Sequence, residues 1–286
     1  MRKALVVRAG RGIGTALVER LIGMEADVVA YSGSPKKLAR LRESFSDSPG
    51  FRAAQGDACD PDELLAAAEG ADVIVCGVYL TYDEKPEKAR RMLEAVGIVA
   101  ERTGAKVVIL EGIYRPAGWS RPETPAGSRD RYLRISVPEL YGAAAADTLT
   151  HYAIRQVARG KPVKRLADPQ VRREYLYLDD AARMAAELAS TESAYGRSWR
   201  LRGNPPISGA ELLGMAGAAA GRPVRYERVG GWMLRLLERY EPGAMELLER
   251  YNRGEEEAGG DEAEYAGGPA TSYEAGMART VARRNG

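Results

Sequence analysis

Residues 3–14 read KALVVRAGRGIG, a short apolar run followed at once by a glycine-rich turn. The apolar run is typical of a buried strand, and Ala16, Leu17 and Leu21 in the next residues fall on one face of a helix. Glycines between a strand and a helix let the chain turn tightly and bring backbone N–H groups and the helix N-terminus close to a phosphate. A tight turn packed without a ligand would use the same residues. This stretch alone therefore predicts a βα unit and leaves nucleotide binding open.

Apolar strands alternate with helical segments through the first part of the chain. The strand-like segments that follow the first are ADVVAY (26–31), FRAAQ (51–55), DVIVCGV (72–78) and AKVVILEGI (105–113). Strands that are apolar on both sides and alternate with helices indicate right-handed βαβ units around a buried parallel sheet. We therefore predict an α/β fold with a Rossmann-type doubly wound parallel sheet in residues 1–143.

The second half is less regular. We expect a smaller, mixed α/β substrate-binding region in residues 144–286, with residues 174–190 returning to the core. Residues 253–270 are acidic and rich in glycine, so they are expected to form a solvated loop.

The composition narrows the classes of function. The 286 residues carry 42 Lys and Arg against 40 Asp and Glu, without a dense basic block, so we expect no nucleic-acid partner. No apolar run reaches about 18 residues, so the sequence predicts no transmembrane or signal segment, no membrane partner and a cytoplasmic location. One His and two separated Cys exclude a multi-histidine metal centre, and we predict no metal site.

Several segments carry a resemblance to one family. VVRAGRGIG (6–14) resembles the V-T-G-A-G-R-G-I-G fingerprint of short-chain dehydrogenase/reductases. Further segments resemble, in the same order, those of the extended branch of these enzymes, the NAD-dependent epimerase/dehydratase family. They include QGDACDPDELLAAAEGADVIVCGV (55–78), REYLYLDDAARM (173–184) and GGPATSYEAGMARTV (267–281). The resemblance implies a dinucleotide cofactor, NADP or NAD, and a small-molecule or nucleotide substrate.

By this resemblance, Gly12 and Gly14 would line the pyrophosphate, and Asp57 would bind the adenine edge. Hydroxyl and ammonium groups follow the second strand, where they suit a 2′-phosphate better than a 2′-hydroxyl, so NADP is expected over NAD. Ser34, which precedes Pro35, also suits the N-cap of a helix. The candidate cofactor-binding residues are Arg8, Gly10, Arg11, Gly12, Ile13, Gly14, Ser32, Ser34, Lys36, Asp57, Gly77 and Val78.

The sequence departs from the family at Arg8, which replaces the first glycine of the fingerprint. A non-glycine residue with positive φ at this position costs roughly 1–3 kcal/mol. The guanidinium would stand where the diphosphate should lie, or it would pair with the phosphate as a cation.

The family's catalytic pair is also missing. That pair is Tyr-x-x-x-Lys on a helix after the fifth strand, yet none of the 15 tyrosines in this chain has Lys four residues later. Residues 114–131 contain three prolines and leave no room for the usual long helix. Because that helix commonly builds the family's dimer interface, we do not expect the usual dimer.

The candidate catalytic residues are Glu111, Tyr114 and Tyr141, with Tyr79 and Tyr82 beside them at the mouth of the pocket. A carboxylate in a cleft near phenols can act as a general base, but it can equally tie two strand ends together.

Three functions remain open. The first is an epimerase/dehydratase-like NAD(P)-binding enzyme with a degenerate active site. The second is a scaffold repurposed for isomerase, lyase or cyclase chemistry through Glu111 and the tyrosines. The third is a nucleotide sensor or partner-binding protein without catalysis.

Overall fold

An eight-stranded parallel sheet forms the centre of the computed structural model, which confirms the predicted α/β class. The described residues are 1–10, 12–78, 80, 85–113, 124, 127–145, 148–240, 243–254 and 262–282. Their strands are β1 (Lys3–Val7), β2 (Asp27–Ser32), β3 (Phe51–Gln55), β4 (Val73–Val78), β5 (Lys106–Gly112), β6 (Tyr132–Val137), β7 (Glu139–Tyr141), β8 (Val163–Arg165), β9 (Arg172–Arg173), β10 (Tyr175–Tyr177), β11 (Ser198–Leu201), β12 (Ile207–Ser208), β13 (Tyr226–Arg228) and β14 (Ala263–Tyr265). Their helices are α1 (Gly12–Gly23), α2 (Pro35–Ser44), α3 (Pro61–Ala67), α4 (Pro86–Thr103), α5 (Leu149–Ala158), α6 (Leu178–Ser190), α7 (Gly209–Ala220), α8 (Gly231–Tyr240), α9 (Ala244–Arg253) and α10 (Tyr273–Ala282).

The strand order of the sheet fixes where a ligand can bind. From one edge to the other the order is β14-β11-β6-β5-β4-β1-β2-β3, and neighbouring strands run parallel. The chain winds outward from β1 through β2 to β3 and then crosses to β4 on the other side of β1. Ligands of doubly wound sheets bind at such a reversal, beyond the carboxyl ends of the strands. A ligand is therefore expected beyond the carboxyl ends of β1 and β4.

Helices cover both faces of this sheet. Because successive side chains of a strand point to opposite faces, Val6 and Leu110 pack toward α1 and α6, whereas Leu5 and Ile109 pack toward α3 and α4. The N-terminal and central strands thus contain apolar residues on both sides, which is the pattern that predicted them. Helix α6 packs against α1, so residues 178–190 lie on the N-terminal sheet.

A separate core lies in the C-terminal half. It joins α5, α7 and α10 through buried residues that include Ile154, Leu212 and Met277. In the described part of the chain, three two-stranded sheets lie outside the central sheet: β7 pairs with β10, β8 with β13 and β9 with β12. Among the described helices, none combines the length and the apolar character needed to cross a membrane.

The prediction of a loop over residues 253–270 is wrong for its second part. Strand β14 lies there and adds an edge to the central sheet beside β11; residues 255–261 lie outside the described residues. The strand escaped prediction because it is short and polar, and because its contacts come from distant residues. Arg202 donates to Glu264 at 2.5 Å, and the Ser136 hydroxyl donates to Glu262 at 2.7 Å.

Candidate functional site

A cleft lies at the carboxyl ends of β1 and β4. It is open to solvent, and the space within it together with the solvent at its mouth is about 630 Å³. Five residues predicted to bind a cofactor line it, namely Arg8, Gly12, Ile13, Gly14 and Gly77. Most of the other described lining residues are apolar, so the cleft excludes water from much of its wall.

The glycine turn brings α1 close to the end of β1. A Cβ at Gly14 would lie 2.9 Å from the Arg8 carbonyl oxygen and 3.0 Å from the Ala9 Cα, so only glycine fits there. Gly12 has a φ of 42°, a left-handed conformation that glycine adopts readily. Gly10 is packed differently, since a Cβ there would lie 2.5 Å from the Cβ of Lys37 on α2. The N-terminal end of α1 therefore stands at the cleft with its backbone N–H groups.

Arg8 crosses the cleft between two strands. Its φ of 62° is the positive value expected from the sequence, and its Nη1 donates to the Gly77 carbonyl oxygen at 3.3 Å. This contact joins the end of β1 to the end of β4. Arg8 is also the one ionised side chain among the described residues that line the cleft. A cation in apolar surroundings beside a helix N-terminus favours an anionic ligand.

The end of β2 presents two hydroxyl groups beside a lysine. Ser32 Oγ accepts a hydrogen bond from the Ser34 backbone N–H at 3.2 Å. Ser34 is the N-cap residue of α2 and Pro35 is its first helical residue, as the sequence predicted, although the Ser34 side chain makes no capping hydrogen bond. Lys36 is exposed on the first turn of α2. Because β2 neighbours β1, these groups lie beside the glycine turn at the same edge of the sheet.

Asp57 follows β3 in a turn held by several hydrogen bonds. Its Oδ1 accepts from the Cys59 backbone N–H at 3.0 Å, and its own N–H donates to Glu63 at 2.7 Å. The Tyr31 hydroxyl donates to the Asp57 carbonyl oxygen at 3.2 Å. Burial, reinforced by the Glu63 carboxylate, raises the pKa of Tyr31 to about 12. Val78, after Gly77, is buried in the core, so only its backbone can reach a ligand.

Glu111 is not where the sequence led us to expect it. It is 1% exposed and accepts a hydrogen bond from Arg134 Nη1 at 3.1 Å. The preceding residue, Leu110, lines the cleft, so the Glu111 side chain points to the opposite face of β5. This corrects its predicted placement at the pocket mouth: the carboxylate joins β5 to β6 in a buried ion pair.

Tyr141 is also displaced from the predicted position. It is fully buried, with its ring 5.5 Å from that of Tyr177 and 6.0 Å from that of Tyr273. Its hydroxyl finds no hydrogen-bond partner among the described residues, and burial raises the pKa of Tyr141 above its ordinary value. The cleft is lined instead by the residue before it, Leu140.

Four further residues that were predicted to belong to the site are not among the described residues. Arg11, Tyr79, Tyr82 and Tyr114 lie outside the described residues, and their roles stay predictions.

The far wall of the cleft comes from residues that the sequence reasoning missed. Leu140, Ala145, Thr148 and Leu178 line it from the part of the chain that follows β6. Thr148 caps α5, its hydroxyl accepting from the His151 backbone N–H at 3.0 Å. A helix-start pattern at Thr148 was available as a signal, but nothing in it linked this helix to the glycine turn. Within the described ranges no group of three His, Cys, Asp or Glu could hold a metal ion.

Comparison with known proteins agrees with this geometry. Residues 9–131 match the family model described as NAD(P)H-binding. The matched stretch covers less than half of the chain. It contains the glycine turn, β2 to β5 and most of the cleft floor. A comparison with curated protein sequences gives no match.

Solved structures are similar in fold to the whole chain, beyond the stretch that the family model matches. A dTDP-glucose 4,6-dehydratase from Bacillus anthracis, in complex with NAD, superposes with a TM-score of 0.71 at 12% identity, covering 100% of this chain and 97% of that one. A UDP-glucuronic acid 4-epimerase from Bacillus cereus, in complex with UDP-glucuronic acid and NAD, gives 0.66 at 16% identity with 99% of both chains covered. The predicted resemblance to the extended short-chain dehydrogenase/reductases is thereby confirmed at the level of fold.

Proposed function

We propose that the protein binds NADP(H) in preference to NAD(H) and acts as an epimerase/dehydratase-like enzyme with an atypical active site. The observation that carries the proposal is the glycine turn at the N-terminus of α1, which faces an apolar cleft whose described lining has Arg8 as its single charge. Helix N-termini bind phosphate through backbone N–H groups and the helix dipole. The residues present therefore fit a dinucleotide diphosphate.

Each part of the dinucleotide has a candidate partner. Backbone N–H groups at Gly12, Ile13 and Gly14 would hold the diphosphate together with the Arg8 guanidinium. Asp57 would bind the adenine edge, and the backbone of residues 77–78 would approach the ribose. Ser32, Ser34 and Lys36 would hold a 2′-phosphate through hydroxyl and ammonium groups. When bound, the nicotinamide supplies hydride chemistry, and the apolar lining of the cleft keeps water away from it.

A second cavity offers a place for the substrate. It lies between α5, α7, β8 and β13, and its space together with the solvent at its mouth is about 560 Å³. Its lining includes Lys164 and Arg165 together with Tyr152 and Tyr226, which suit an anionic small molecule or nucleotide with a planar group. Helix α5 connects the two spaces, because Thr148 lines the cleft and the next residue lines the second cavity.

A nucleotide sensor without catalysis is the second candidate. It is favoured by the described lining of the cleft, where Thr148 and Cys76 are the only side chains besides Arg8 that carry a polar or ionisable group. Repurposed chemistry at Glu111 finds no support in the geometry, because that carboxylate is engaged with Arg134 on the other face of the sheet.

Calorimetric titration of the purified protein with NADPH and NADH tests the proposal. We expect NADPH to bind more tightly, and Ser34→Ala/Lys36→Ala to weaken NADPH about tenfold, as expected for lost charged hydrogen bonds. The same variant should leave NADH affinity unchanged, so NADH serves as the matched control. Absence of binding by both cofactors at millimolar concentration would refute the proposal.

Turnover separates the enzyme from the sensor. We expect the NADP-loaded protein to convert a nucleotide-sugar substrate, detected by product chromatography and by nicotinamide absorbance. Tight cofactor binding with no conversion across such substrates would favour the sensor.

A further inference from the structure

Exposed apolar surface is concentrated on one short helix. Trp232, Leu236 and Tyr240 on α8 are 62%, 42% and 73% exposed, and Tyr226 shortly before the helix is 41% exposed. Elsewhere in the described chain only two large apolar side chains are exposed to a similar extent. Single exposed apolar residues are ordinary, whereas a contiguous group marks an interaction site.

The exposed side of α8 is also basic. Residues spaced by four lie on one side of a helix, so the three apolar side chains form a stripe. Arg235 and Arg239, both exposed, flank the stripe along one edge. We call this set the α8 face: Trp232, Arg235, Leu236, Arg239 and Tyr240.

The carboxylate of α8 forms no ion pair with the arginines of this face. Glu238 is the one acidic residue of the helix, and it accepts hydrogen bonds at 2.9 Å from the backbone N–H groups of Gly243 and Met245. These bonds hold the start of α9 and keep the pKa of Glu238 below its usual range. Neither Arg235 nor Arg239 forms an ion pair with another described residue. The α8 face therefore presents two positive charges beside apolar area.

Antiparallel pairing with a second copy of the chain is a poor match for the α8 face. Antiparallel two-fold pairing centred on Leu236 would stack Trp232 of each copy near Tyr240 of the other. The same symmetry preserves the side of the helix that carries arginine, so four guanidinium groups would line one edge of the interface. Like charges placed together oppose association.

We propose that the α8 face docks on an anionic lipid surface. Trp and Tyr rings suit the headgroup region, where one end is apolar and the other is wet, and leucine between them adds buried apolar area. The arginines suit the negative potential of anionic lipids. The expectation of no membrane partner rested on the absence of a spanning segment from the sequence, and α8 has only 10 residues. A helix that lies in the interface needs no such length.

The α8 face borders the second cavity. Lys164 lines that cavity, and its Nζ lies 3.7 Å from Sδ of Met233 on α8. Tyr226 lines the cavity as well. Docking would therefore hold this cavity next to the lipid surface.

Vesicle co-sedimentation of the full-length protein tests the inference. We expect binding to vesicles of 30% phosphatidylserine in phosphatidylcholine and little binding to phosphatidylcholine alone. Arg235→Glu/Arg239→Glu should weaken binding by about thirty-fold or more, from the attraction of two arginines near an anionic surface. Trp232→Gln/Leu236→Gln should weaken it by at least tenfold, because buried apolar area is lost.

Matched controls place the same changes elsewhere. Ile98→Gln removes an exposed apolar side chain from α4, and Arg20→Glu/Arg40→Glu reverses two exposed charges on α1 and α2. Both controls should bind vesicles like the native protein, and thermal unfolding should confirm that each variant is folded. Three results would overturn the inference: failure of the native protein to bind anionic vesicles, equal losses in the controls, or a dimer in sedimentation velocity that the Trp232→Gln/Leu236→Gln change abolishes.

Discussion

Replacement of Arg8 by glycine separates backbone strain from phosphate binding. Among the described residues only Arg8 and Glu25 combine a side chain with a positive φ, at 62° and 60°. This conformation costs a non-glycine residue roughly 1–2 kcal/mol, while glycine gives back about 0.5–1 kcal/mol through the entropy of the unfolded chain. Glu25→Gly should therefore stabilise the fold by up to about 1.5 kcal/mol. Arg8→Gly gains the same amount but loses the side-chain contacts of Arg8, among them the bond to the Gly77 carbonyl, worth about 1 kcal/mol, so it should gain less stability than Glu25→Gly.

The effect of Arg8→Gly on NADPH should be larger. A charge-assisted contact to phosphate contributes roughly 1.5–3 kcal/mol, so we expect binding about 10 to 100 times weaker. Glu25→Gly should bind NADPH like the native protein. The deficit should shrink at high salt, since screening weakens the contact in the native protein.

Two assays check this prediction: thermal unfolding of the three proteins without cofactor, and calorimetric titration with NADPH at low and high salt. Tighter NADPH binding by Arg8→Gly would refute the counter-ion role and show that the guanidinium occupies the place of the phosphate. A stability gain in Arg8→Gly equal to that of Glu25→Gly would show that the Gly77 contact contributes nothing.

Three further changes probe the side chains that the structure relocates or fixes. Glu111→Gln should lower the free energy of unfolding by about 3 kcal/mol, because it leaves Arg134 without its buried carboxylate, yet turnover per folded molecule should persist; complete loss of turnover in folded protein would restore Glu111 as a general base. Tyr141→Phe should raise the melting temperature slightly and leave kcat unchanged, since it removes a buried hydroxyl that lacks a described partner; a large fall in kcat would contradict the structural role. Because the pKa of Tyr31 is raised to about 12, the part of the free energy of unfolding that is linked to Tyr31 is fully present below pH 10 and is lost as the pH rises through about 12. Tyr31→Phe should reduce this alkaline loss in urea titrations, and an unchanged pH dependence would contradict the raised pKa.

The apolar periodicity of the sequence made the sheet predictable, whereas the direction of side chains at the strand ends was not predictable from it. Both faces of β1, β4 and β5 are buried, so continuous apolar runs in the sequence predicted these strands. Whether Glu111 faced the cleft depended on a one-residue register that the sequence does not reveal. The register was equally hidden at Tyr141, because the preceding residue, Leu140, is the one that lines the cleft.

The glycine turn was predictable because its geometry is local. The close approach of α1 to β1 requires glycine at position 14, and a glycine between a strand and a helix can be recognised in the sequence. The opposite wall of the cleft, with Thr148 and Leu178, depends on packing between residues more than 130 apart. Such long-range neighbours leave no local signature, so this half of the site had to come from the structure.

The position of β14 has a consequence for how the protein is made. Synthesis proceeds from the N-terminus, so β11 leaves the ribosome with one edge unpaired, and it waits for more than 60 residues before β14 can cover it. During that interval the nascent chain carries an open parallel edge, which is a template for pairing with other chains. We expect chaperone contacts with the growing polypeptide to peak over this stretch. Completion of the sheet then waits for the synthesis of β14, although the residues that line the cleft at its centre are made earlier.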